Sequence, residues 1–153
     1  RHGPIPIIIV PEILRDNFNK LVELSDRSFS GTGFCNNFES EIPSSYDFVL
    51  DQEARASVLS FGFALERPEA RGGQENLTLN ILIHQDLFPL VHSFQKELQR
   101  KTHEIHLKMA DETTEKDYIR QSVNDLRKLV SYIVLSYKHI YGTTDLLEED
   151  SQE

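Results

Sequence analysis

Residues 59–65 read Leu-Ser-Phe-Gly-Phe-Ala-Leu, and residues 77–84 read Leu-Thr-Leu-Asn-Ile-Leu-Ile-His, across a polar stretch from Pro68 to Glu75. In the first run Leu59, Phe61, Phe63 and Leu65 alternate with Ser60, Gly62 and Ala64. In the second, Leu77, Leu79, Ile81 and Ile83 alternate with Thr78, Asn80 and His84. A period of two places alternate side chains on opposite faces of a strand, so the pair reads as an antiparallel hairpin. One face is large and apolar. The other, at Ser60, Gly62 and Ala64, is small enough for a backbone or helix to approach closely. Tyr46, Phe48 and Leu50 alternate with Asp47 and Asp51 just upstream and predict a third strand.

Downstream the period changes. Ile119, Val123, Leu126, Val130, Ile133, Tyr137 and Ile140 step by 4, 3, 4, 3, 4, 3, a seam along one face of a helix that needs a partner. Leu87, Leu90, Val91, Phe94, Leu98, Ile105 and Met109 supply a second amphipathic stretch a short loop away. The expected ending is therefore a long helical hairpin. Asp86 is placed as the N-cap of its first helix, with Pro89 in the first turn. Thr113 or Thr114 caps the second, and Gly142 stops it.

Upstream, residues 5–10 are rich in β-branched side chains and bracketed by Pro4, Pro6 and Pro11, which predicts a short strand at an edge or strand end. Pro11 opens a helix presenting Ile13, Leu14, Phe18, Leu21, Val22 and Ser25 and ending near Ser28. Residues 29–45 read as a long loop. Its Gly31-Thr32-Gly33 lacks the Lys-Ser/Thr of a phosphate cradle, and its Arg27-Ser28-Phe29-Ser30 border has the form of a kinase target. The fold class is α+β: an antiparallel sheet packed by helices, with residues 1–144 forming one domain and residues 145–153 an acidic disordered tail.

The chain has 153 residues with 39% hydrophobic, enough for one core. It starts at Arg1 and its single methionine is Met109, as expected of a piece of a longer protein. No run approaches the roughly 18 apolar residues that cross a bilayer. One cysteine, Cys35, cannot pair internally, which points to a reducing compartment and a cytoplasmic location. Of the formal charge of −9, five negative charges sit in residues 145–153 without a cation, so residues 1–144 carry only −4. No basic stripe is present to displace counterions from phosphate, and binding to nucleic acid or insertion into membrane is not expected.

Chemistry-bearing groups are sparse. His103 and His106, three apart on a helix, could reach one metal, but two ligands do not make a site. His84, His92 and His139 have no neighbouring nucleophile, and nothing beside Cys35 would activate its thiol. No catalytic, cofactor or metal residue is assigned, and no cofactor is expected. The binding residues chosen from the sequence are the helical seam at Ile119, Val123, Leu126, Val130, Ile133 and Tyr137.

The order of strand, helix, long loop, three strands and two helices resembles the longin and roadblock type of domain. The likeness is nearest to the longin halves of folliculin-like and DENN-module proteins. It is carried by Asp51-Gln52-Glu53, the apolar strand from Ala56 to Leu65, the loop Glu69-Ala70-Arg71-Gly72, the apolar strand from Leu77 to Ile83 and the helix from Leu87, and spans roughly residues 4–109. Such a resemblance implies a noncatalytic module that binds other protein subunits, a small GTPase or its regulator, in membrane traffic. Two alternatives come from the residues themselves. One is a small ligand-binding or enzymatic domain whose site is assembled from distant residues such as His84, Cys35 and the loop 29–45. The other is a homodimer through the last helix, since three heptads are near the minimum for a coiled coil.

Overall fold

The computed structural model describes residues 7–10, 16–34 and 43–141. The acidic tail, Cys35, Gly142 and the beginning of the first predicted strand and helix lie outside them, as do the side chains of Phe18, Tyr137, His139 and Ile140. In chain order come α1 (Phe18–Gly31), β1 (Ser44–Asp51), β2 (Ala56–Glu66), β3 (Gln74–His84), α2 (Phe88–His92), α3 (Gln95–Ala110) and α4 (Lys116–Tyr141). The class is α+β, with the helices α2 to α4 following the sheet.

The three strands form one antiparallel sheet in the order β1-β2-β3. Its register sets Leu59 opposite Ile81, Phe61 opposite Leu79 and Phe63 opposite Leu77, the alternation read from the sequence. These large side chains face α2, α3 and α4. Leu59, Phe61, Ile83, Val91, Leu98, Ile105 and Leu126 form the main buried cluster, and partly buried Ile119, Val123 and Val130 pack against it. Each such side chain taken from water contributes roughly 1.5–3 kcal/mol, so the seam of α4 and the hairpin hold each other.

The opposite face carries Val58, Ser60, Gly62 and Ala64, and α1 lies over it. Leu24 packs with Leu50 and Val58, and Ser28 Oγ is 3.0 Å from Thr78 Oγ1. Gly62 is where the small face matters. A Cβ there would collide with the carbonyl oxygen of Gly33 and the methyl of Thr32. Only a glycine lets the segment after α1 lie this close to the sheet. The helix also runs three residues past the expected stop, to Gly31, because Thr32 N–H still reaches the Ser28 carbonyl at 3.0 Å.

Two local expectations change. The helix predicted from Leu87 to Met109 is broken: a tight turn over Gln85–Leu87 leads into α2, and Ser93 and Phe94 separate it from α3. Asp86 is therefore not an N-cap. It lies inside the turn, where its N–H donates to His84 Nδ1 at 3.2 Å and its carboxylate pairs with Arg55. The short offset lets α2 lie against α4 before α3 crosses β2. At the other end, residues 7–10 (Ile-Ile-Ile-Val) carry no strand hydrogen bonding, although Ile9 is buried.

Candidate functional site

Beside β3 the molecule encloses a cavity of about 780 Å³. Its floor is the outer edge of β3 from Glu75 to Leu82. Its opposite rim is residues 7–10. α1 closes one side through Leu21, Leu24, Ser25 and Phe29, and α3 and α4 close the other through Ile105, Met109 and the α4 seam. Each wall follows from a periodicity: β3 offers side chains to both faces, and each amphipathic helix turns its apolar stripe to the sheet.

Ile119, Val123, Leu126 and Val130, four of the six residues chosen from the seam, line this cavity together. Ile133 is buried farther along α4, and the side chain of Tyr137 is outside the described residues. The seam is thus shared between the intrachain core and the cavity wall. On α4's outer face Tyr118, Tyr132 and Leu135 stand exposed, at 53%, 69% and 63%.

The two sides of the cavity differ in chemistry. Towards α3 and α4 it is mostly apolar, with Leu77, Leu79 and Ile81 of β3, Ile105 of α3 and Val123 and Leu126 of α4, beside Arg127 and Ser131. Towards α1 it is mixed, with Ser25, Thr78 and Asn80 between Leu21 and Leu24. Ser25 Oγ donates to the Leu21 carbonyl at 2.9 Å, and Asn80 Nδ2 donates to Thr78 Oγ1 at 3.2 Å. Asn80 Oδ1 is shielded from solvent and accepts no hydrogen bond from the described residues. A buried acceptor without a donor costs about 1–3 kcal/mol, so its presence in the wall is a demand for a donor. Glu75 and Arg127 are the charged residues of the lining.

Among the described residues no group of three or more His, Cys, Asp or Glu converges as a metal site would require. His103 and His106 have ring centroids 5.9 Å apart, but His106 points into the core, with Nε2 2.9 Å from the Ala64 carbonyl and its ring 4.6 Å from Phe63. Burial holds its pKa below the ordinary histidine value, and the nearby His103 adds to the depression, against a rise from the Ala64 hydrogen bond. His84 caps the turn after β3, and His92 Nε2 lies 3.5 Å from Asp47 across the α2 face. None of these four histidines lines the cavity.

The seam was legible in advance, but the cavity it lines was not. Residues 7–10 read as part of a strand, yet they line the cavity without joining the sheet. The available signal was Asn80, an amide on the polar face of the alternation, among the small side chains of Ser60, Gly62 and Ala64. No helix among the described residues is long and apolar enough to cross a membrane. Comparison of the chain with protein-family models, with curated proteins and with solved structures gave no match.

Proposed function

We propose that this chain is a noncatalytic protein-interaction module of the cytoplasm, a subunit or regulator in small-GTPase or membrane-traffic complexes, docking through the α4 seam and the neighbouring edge of β3. The observation that supports this reading is the cavity of about 780 Å³, where Ile119, Val123, Leu126 and Val130 stand beside β3. An apolar surface of this kind, next to a strand edge unpaired among the described residues, suits a protein segment better than a reaction centre. The GTPase and trafficking context comes from the longin-like order of elements.

Affinity purification of the full chain from cells, beside a Val123→Lys variant shown to be folded by circular dichroism, tests it. The expected result is a small GTPase or trafficking regulator retained by the native chain and lost from the variant. Identical partner sets for the two proteins would remove the seam from the docking surface.

A second reading has its own support. The cavity volume lies in the range of small-molecule sites, roughly 300–1,000 Å³, and the free Asn80 acceptor would orient an apolar ligand carrying one donor. Native mass spectrometry of the purified chain distinguishes the two, because this reading requires a bound small molecule of constant mass.

A further inference from the structure

β3 has a hydrogen-bonded neighbour only on its β2 side among the described residues, so the backbone groups along its other edge are open to an added chain. That edge is not bare to solvent. It is the floor of the cavity, with a helix over each face and residues 7–10 standing off as the far rim. Its lining is that of a slot beside an open strand edge. A strand residue takes roughly 3.3 Å along its axis, about 4.8 Å across the sheet and about 10 Å between the layers on its faces, so the cavity holds about five of them.

We infer that the cavity is a strand-addition site, which takes an extended peptide segment against the outer edge of β3, between that strand and residues 7–10. This deepens the docking reading above and rests on it. The occupant's chemistry follows from the walls. Alternate side chains must be aliphatic, to meet Leu79, Ile105, Val123 and Leu126 on the α4 side. The intervening ones are small and hydroxylated or amidic, because the α1 side offers Ser25 and the unsatisfied Asn80 Oδ1, which needs a donor. Glu75, at the start of β3, favours a basic residue at the adjacent end of the segment. The occupant is therefore an extended segment of the type Lys-Ser-Val-Thr-Ile, its basic residue on the same face as the aliphatic ones because Glu75 shares its face with Leu77 and Leu79, read in either direction along β3. β-branched residues at the aliphatic positions keep it extended.

The test uses the full chain with two synthetic peptides, Lys-Ser-Val-Thr-Ile and its reverse, each also made with proline at the central position. Binding is followed by fluorescence anisotropy, and hydrogen exchange of the β3 amides by NMR. The expected result is that one peptide binds and slows at least tenfold the exchange of the alternate amides of residues 75–82 that point away from β2. Proline abolishes both effects, and Asn80→Ala weakens binding several-fold while leaving the melting transition cooperative.

Failure of both peptides to bind overturns the inference, as does binding that survives the proline. Slow exchange of the outward amides without peptide assigns the edge to the chain's own residues 7–10, and slow exchange that appears only with dimer in light scattering assigns it to a second copy. Either outcome overturns it. A protein partner that needs Val123 but leaves the β3 amides fast would sink strand addition and leave the docking reading standing.

Discussion

His106 donates from Nε2 to the carbonyl oxygen of Ala64 at 2.9 Å, and it does so where the sheet has run out of strand. β1 begins opposite Gly62, so the last residues of β2 extend past their neighbour on that side. An imidazole from α3, fully buried, stands where β1 is missing and keeps the end of β2 satisfied.

Burial lowers the His106 pKa, so the unfolded chain takes up a proton at a higher pH than the folded one. Stability from this group is whole above about pH 6.5, the ordinary histidine value, and is lost as pH falls below it. Urea unfolding at pH 7.5 and 5.5 should show lower stability at the acidic pH, with a smaller pH difference in His106→Gln. An equal loss in both proteins would assign the acid sensitivity to other groups.

Gly62 is the contact point between β2 and the chain leaving α1. Gly62→Ala puts a methyl group against the Gly33 backbone and Thr32, and overpacking of that kind costs about 1–3 kcal/mol. Thermal melts should show Gly62→Val destabilised further, since the obstacle includes backbone and cannot swing aside. Wild-type melting of Gly62→Ala would mean the helix-to-sheet approach is looser than the structure has it.

Phe61 is completely buried at the centre of the main cluster. Phe61→Asp places an uncompensated charge there and should abolish the cooperative transition, whereas Tyr132→Lys, at a 69% exposed site, should stay within about 0.5 kcal/mol of the native protein. A soluble Phe61→Asp protein with a sharp melt would reverse the assignment of faces to β2.

Leu126 and Ile133 are buried within one copy of the chain. A dimer held by the same seam would show a melting temperature that rises with protein concentration. We expect no such dependence, and Leu126→Asp should unfold the monomer instead of dissociating a pair.

Arg67, in the loop between β2 and β3, donates from Nη2 to the Met109 carbonyl at 3.0 Å and lies 3.6 Å from Glu112. It ties the hairpin loop to the C-terminus of α3, where carbonyls lack helical partners. Arg67→Ala should cost about 1 kcal/mol, the usual worth of one such bond, in chemical denaturation. Glu112→Ala should cost less, because that carboxylate is mostly exposed.

Elements whose pattern repeats over many residues were legible. The period of two over 59–65 and 77–83 gave the hairpin with its register faces, and the seam from Ile119 gave α4, found at Lys116–Tyr141. The close approach expected at Ser60, Gly62 and Ala64 is realised by Gly33. What escaped was decided by partners far along the chain. The break at Ser93 and Phe94 leaves the apolar spacing nearly unchanged, so periodicity passes over it. Residues 7–10 have strand composition, but strand formation needs a neighbour within hydrogen-bond reach, and composition carries no distance. The same limit hid the cavity: four of the six named seam residues line it, while the walls from residues 7–10, α1 and β3 lie far away in the sequence.

Residues 77–83 hold seven consecutive positions without a charge, a proline or a glycine. Such a run, left open along one side, is a template on which identical chains can stack into fibrils. A segment laid along β3 would therefore also act as a solubilising cover. Stripped of it, concentrated protein should precipitate through this heptapeptide before any other part of the molecule unfolds.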